Sequence, residues 1–286
     1  MSMSDSHSPG FPGETKEQLE KELGAIVRWE KDQKDLWFWE KLGRLPFMLL
    51  DKLTPKGIRN KIGQAIDELG SYLQTGGRYL VSQKSVLDTL GRTAREAGWQ
   101  GEGPGNVQQA GLLPLAVMDS AAAGLTDSRK KLAAVQGATT GFGGLFTLAV
   151  DIPALLGLSL KVLQEMALCY GFDPDDPRER VFIVKCLQFS SSDIVGKRAV
   201  LEELAEYDGS SGDRQLASQL QGWREVVATY RDNFGWKKLF QLVPVAGMLF
   251  GALLNKGTVG DVAETGRMLY RKRRIQHRLQ ELENSP

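Results

Sequence analysis

The chain has 286 residues, 42% of them hydrophobic, with 36 basic residues against 35 acidic ones. That size supports a packed core without covalent staples, and a formal net charge of +1 gives no global field toward nucleic acid or an acidic partner. Two histidines, His7 in the leading segment and His277 near the other end, leave a Ser-His pair, a Cys-His pair and a His-ligated zinc site without support.

Residues 1–13 lack a basic stretch followed by an apolar one, so they are read as a disordered tail and not as a secretory signal or membrane anchor. Residues 14–100 are read as an N-terminal helical arm. Its first helix runs from Glu14 to about Leu42, with Leu19, Leu23, Ile26 and Val27 as the apolar stripe. Trp37, Phe38 and Trp39 belong to the densest aromatic cluster, which suits half-buried packing or an interfacial anchor. Thr54-Pro55 predicts a helix to about Leu73, and another is expected from Tyr79 to Ala97. The stretch GWQGEGPGNVQQAG then marks a glycine-rich linker at 101–110, beyond which a helical core fills 111–286.

Within that core a short helix is expected from Leu113 to Leu125, followed by a second helix capped by Thr126 or Asp127. From Leu132 to Val150 there is no charge, and Gly137, Gly141 and Gly144 share one helical face. Each glycine costs a helix interior about 1 kcal/mol, which predicts close approach of another backbone in a soluble core or of a helix in lipid. Gly247 and Gly251 repeat the pattern in the apolar run Leu239–Leu254. The first run would span about 28 Å as a helix, but threonines and Gln136 dilute it, and Pro244–Asn255 would reach only about 18 Å, so no stable membrane-spanning helix is expected.

Asp151 precedes Pro153 by two residues, placing an acid where it can cap a helix or, between apolar runs, form a proton or cation site. Cys169 and Cys186 sit in apolar helical patterns without metal-ligand spacing, pointing to buried reduced thiols and a cytoplasmic setting. Gly171 is the expected helix stop. Asp176, Pro177 and Glu179 approximate a capping box, and the neighbouring acids lack the EF-hand spacing, so no metal is expected. Further helices are expected from Pro177 to Ser190, Ser192 to Tyr207 and Gly212 to Asn233. No alternation reads as a sustained strand, and the fold class is an all-α multi-helix bundle with glycine-lined helix packing and no sustained β-sheet.

The last helix, from about Asp261 to Glu283, carries Arg267, Arg271, Arg274 and Arg278 as one stripe. The stripe fits a solvated face paired with Glu281 or Glu283, or a contact with anionic lipid headgroups; no nucleic-acid motif accompanies it. No G-x-S-x-G occurs, and Gly141-Phe142-Gly143-Gly144 is not followed by the lysine and hydroxyl that phosphate cradling requires. No cofactor motif is present. Hydrolysis would have to use carboxylates or a Ser-Lys pair, with Ser159 two residues before Lys161 or Ser190-Ser191-Ser192-Asp193 as the places to look.

The segment AAVQGATTGFGGLFTLAVDIPALLGLSLKVLQEMALCYGFDPDDPRERVF resembles the signature of the EcsC family, and VPVAGMLFGALLNKGTVGDVAETGRMLYRKRRI is similar to its C-terminal motif. Trp223 and Tyr230 lie in the helical region before that second motif. The family is named for a protein encoded beside the components of an ABC transporter, and some members have been labelled hydrolases. The resemblance therefore implies an accessory or interaction protein linked to an ABC transporter, with hydrolysis as the alternative. Together with the residues, it yields the expectation of a non-enzymatic, membrane-associated protein on the cytoplasmic face, docking on an anionic surface or a membrane protein complex.

Overall fold

The computed structural model describes residues 14–33, 80–141, 148–192, 194–205 and 244–284. Several expectations lie outside these residues: the tail, the aromatic cluster Trp37, Phe38 and Trp39, the helix after Thr54-Pro55, Gly144, and the helix holding Trp223 and Tyr230. Among the described residues there are eight helices and no strand, as the patterning indicates.

The first helix, α1 (Lys16–Asp32), opens with a reciprocal cap: the Gln18 amide N–H donates to Thr15 Oγ1, and the Thr15 N–H donates to Gln18 Oε1. Leu19 and Ile26 are buried as expected, but Val27 faces outward and Trp29 and Glu30 turn inward in its stead. Ser82 caps α2 (Gln83–Glu96), and Asn106 caps the single turn α3 (Val107–Ala110), which lies inside the stretch expected to be a linker. Helices α1 and α2 contribute Leu19, Ile26, Leu87 and Leu90 to the same apolar cluster as the later helices.

A single helix, α4 (Leu115–Gly141), replaces the two expected between Leu113 and Val150. The cap expected at Thr126 or Asp127 does not form, because the Thr126 hydroxyl donates back to the Ala122 carbonyl at 2.8 Å. Gly124 alone is too weak a breaker to end a helix whose neighbours all retain their N–H groups. Likewise α5 (Leu148–Cys169) begins three residues before Asp151, so Asp151 and Pro153 lie within its opening turns.

The stop after α5 matches the sequence pattern. Gly171 takes φ +75°, its N–H donates to Leu168 O at 3.1 Å, and the Phe172 N–H donates to Ala167 O at 2.9 Å, a Schellman closure. Asp176 then caps α6 (Pro177–Ser191) through the Arg178 N–H, with Pro177 in the first turn. After α6 come α7 (Ile194–Ala205) and α8 (Pro244–Asn284). At 41 residues α8 extends about 62 Å and begins well before the expected Asp261.

Helix α8 is the axis of the bundle, packing on α1, α4, α5 and α6. It runs antiparallel to α4: Arg278 reaches the Leu113 carbonyl, Arg271 reaches Asp119, and the Lys130 stem lies against Gly260. Glycine-lined contact does occur, notably at Gly266, where a Cβ would press on Leu163 and Met166 of α5. Gly137 is also buried.

A close backbone approach joins Gly171 to Gly111, with the Arg274 guanidinium alongside. An added Cβ at Gly171 would be strained by the positive φ and would collide with the Gly111 backbone. Gly171→Ala is expected to cost about 2 to 4 kcal/mol, read as a lower urea midpoint. Gly24→Ala, a helical position in α1 with no neighbouring atom within 4 Å, is expected to leave the midpoint unchanged or raise it.

Candidate functional site

The C-terminal half of α8 carries a dense set of cations, and most of it faces the protein. Arg278, with a side chain 0% exposed, donates to the carbonyls of Leu113 at 2.5 Å and Gly111 at 3.2 Å and pairs with Glu14. One helical repeat earlier, Arg271 donates through Nε to both oxygens of Asp119, at 3.0 and 2.9 Å, and through Nη2 to Glu22 at 3.0 Å. The Tyr170 hydroxyl donates to the same Asp119 at 2.6 Å, so one carboxylate ties α4 to α5 and α8.

Arg274 meets carbonyls, donating to Tyr170 O at 2.8 Å and Gly171 O at 3.0 Å, where the negative end of the α5 dipole favours a cation. Arg273, between them, forms a two-pronged pair with Glu179 at 2.8 Å on each arm and lies over the rings of Phe182 and Phe172, 4.2 and 4.3 Å from their centroids. Lys272 pairs with Glu30 of α1 at 2.8 Å.

These contacts correct the expectation of an outward basic stripe. Arg271, Arg274 and Arg278 serve as internal ties, while Arg267 is partly exposed. Of the two acids expected to pair with the stripe, Glu283 accepts from Lys16 of α1, while the charge of Glu281 acts on Arg274 and Arg278. Glu179, the expected third member of a capping box, pairs instead with Arg273. Geometry explains the outcome: a charge removed from water is tolerated when carboxylates and carbonyls meet it, and α1, α4, α6 and the 111–113 turn supply them.

The electrostatics follow the partners. Burial, reinforced by the neighbouring charge of Arg278, pulls Arg274 down to about 10. Burial also lowers Arg278, with Glu14 offsetting part of the effect. For Arg271 burial acts downward as well, but Asp119 and Glu22 outweigh it and hold the group above its ordinary value.

The residues considered for hydrolysis are engaged in the helices themselves. Ser159 is buried and its hydroxyl donates to Leu155 O at 2.8 Å, while Lys161 reaches the Leu80 carbonyl and lies 3.8 Å from Glu165. Ser190 and Ser191 donate to Leu187 O, and Ser192 donates to Gln188 O. Both cysteines are fully buried, and desolvation pushes their thiols well above the ordinary 9.0. Among the described residues, no group of three or more His, Cys, Asp or Glu side chains could hold a metal ion. His277 packs edge-on against Phe172 at 5.5 Å.

Asp151 is placed by its backbone near the start of α5, and Gly247 and Gly251 lie in the opening turns of α8. Gly141 is the last residue of α4. The structure thus brings the arginines together with Glu14, Glu22, Asp119, Tyr170 and Glu179, none of which the sequence pattern offered as an arginine partner. A buried arginine stripe requires acids on other helices, and the arginine spacing along α8 carries no sign of where those acids lie.

The model of the EcsC protein family matches residues 20–275. Over 273 residues, covering 96% of this chain and 98% of the relative, the sequence is 56% identical to "Uncharacterized protein YdbA" of Bacillus subtilis (strain 168). It is 31% identical over 146 residues to "Protein EcsC" of the same organism, covering 51% of this chain and 59% of that protein. No solved structure matches.

Arg278→Met is expected to leave two buried carbonyls unpaired and the Glu14 carboxylate without its cation, held by the Leu115 N–H alone, costing about 3 to 5 kcal/mol in denaturant unfolding. The pH profile supplies a second check. Cys169, Cys186 and Tyr170 keep their protons in the folded chain and release them more readily once unfolded, above ordinary values of 9.0 and 10.0. Stability is therefore fully present below about pH 9 and falls as pH rises beyond it, by roughly 1.4 kcal/mol per pH unit for each group engaged. Cys169→Ala/Cys186→Ala is expected to flatten that alkaline slope, measured by urea unfolding at a series of pH values.

Proposed function

This chain belongs to the EcsC protein family, and on that premise we propose that it is a non-enzymatic accessory or interaction protein that works peripherally at a membrane surface. The observation that carries the non-enzymatic part is the commitment of its reactive side chains. The serines offered for hydrolysis donate to helix carbonyls, the thiols are buried and hard to ionise, and the α8 cations hold other helices in place. A nucleophile needs an activating base and access to substrate, and Ser159 and both thiols are buried away from solvent.

Support for the membrane part comes from the uncharged runs. No described helix is long and apolar enough to cross a membrane, yet 132–150 and 244–255 together form two extended segments without an ionisable residue. Such segments suit contact with lipid from one side. The family resemblance adds a membrane protein complex, in the first place an ABC transporter, as the assembly that the protein assists.

Vesicle flotation tests the reading. The purified full chain is expected to rise with vesicles of equal parts phosphatidylcholine and phosphatidylglycerol and to stay behind with phosphatidylcholine alone. Recovery of the whole protein in the bottom fraction with both lipids would overturn the membrane role.

A further inference from the structure

Among the described residues, three exposed large apolar side chains gather at one end of the bundle. Leu132 (48% exposed) and Val135 (62%) lie on α4, and Leu253 (70%) lies on α8. The antiparallel pairing that sets Arg278 beside Leu113, Arg271 beside Asp119 and Gly260 beside Lys130 fixes their level. Continued at about 1.5 Å per residue, it puts Val135 opposite Asn255 and Leu253 opposite Gly137. The arginine cluster occupies the other end of the same two helices.

Charge is ordered along this axis. Moving inward from the apolar end, the first ionisable residue on α4 is Lys131 and on α8 is Lys256, both exposed. The first exposed acids, Asp127 and Asp261, come at least one helical turn farther in. The distance from Lys131 to the end of α4 at Gly141 is about 15 Å, and from Lys256 back to Pro244 about 18 Å. Half of a hydrocarbon core of roughly 30 Å is about 15 Å, one leaflet deep.

We propose that this end of the α4–α8 pair is a monotopic membrane contact, entering one leaflet of an anionic bilayer with Leu132, Val135 and Leu253 in the acyl region and Lys131 and Lys256 at the headgroups. Lysine stems can follow the apolar surface while their ammonium groups meet phosphate oxygens, and the apolar side chains gain burial that the folded chain itself does not provide. The contact rests on the membrane role proposed above and assigns it to a surface. It also replaces the arginine stripe as the anionic-lipid contact, because the guanidiniums of Arg271, Arg274 and Arg278 are occupied.

The test uses flotation with phosphatidylcholine–phosphatidylglycerol vesicles and a set of full-length variants with circular dichroism as the folding check. Val135→Asp and Leu253→Asp are each expected to reduce vesicle partitioning about tenfold or more. Lys131→Gln/Lys256→Gln is expected to reduce it about tenfold or more and to weaken its salt dependence. Val27→Asp and Leu112→Asp, at exposed apolar positions away from this end, are expected to bind as wild type does. A solvent-sensitive dye on Val135→Cys is expected to shift to the blue on vesicle addition, and the same dye on Leu112→Cys to stay unchanged. If wild type floats while the Val135 and Leu253 variants float equally well, or the dye at 135 does not shift, the assigned surface is wrong and the membrane role stands. If wild type does not float, both fail.

Discussion

The guanidinium of Arg278 is the constraint on which the other contacts depend. A cation with no exposed side-chain surface is tolerable only if its surroundings supply acceptors, and here they come from three places: Glu14 before α1, and the carbonyls of Gly111 and Leu113 before α4. Those acceptors are separated from Arg278 by between 165 and 264 residues of chain. Satisfying one side chain therefore sets the register of α8 against the start of α1 and the start of α4. Arg271 and Arg273 repeat the arrangement with Asp119, Glu22 and Glu179. Buried pairs of this kind add little net stability over apolar packing, but breaking one leaves a charge stranded, so their effect is to make alternative helix registers costly.

The same arrangement gives the molecule two unlike ends. At one, charges are sequestered between α1, α4, α6 and α8, and Gly111 and Gly171 approach closely enough for Arg274 to reach the end of α5. At the other, the uncharged parts of α4 and α8 lead outward past lysines, with Leu132, Val135 and Leu253 on the surface. A rigid, ion-paired base supporting an apolar end is a suitable architecture for a protein that attaches to a bilayer without crossing it.

Much of the fold was legible because local chemistry determines it. Gly171 terminates α5 since only a residue tolerant of positive φ closes the Schellman turn there, and Asp176-Pro177 opens α6 through one cap and a preset φ. Thr126-Asp127 resembled a helix start for the same local reasons, but nothing stopped the preceding turn, and the threonine hydroxyl bonded backwards. The arginine stripe was legible as a shared face and illegible as to what that face meets. Spacing along α8 fixes which side chains point the same way; the acids that turn them inward lie on α1, α4 and α6, and the contact emerges only when those helices are assembled. The lysine order at the apolar end was likewise present in the sequence, but had no meaning until α4 and α8 were known to run antiparallel.

Hydrogen–deuterium exchange of the full chain with and without anionic vesicles tests the account most directly, because it reports both ends of the bundle in one experiment. Added vesicles are expected to slow exchange in the peptides covering Leu132–Gly141 and Pro244–Lys256, leaving Arg267–Glu283 and Lys16–Asp32 unchanged. Slower exchange confined to Arg267–Glu283, with the Leu132 and Leu253 peptides unaffected, would contradict it.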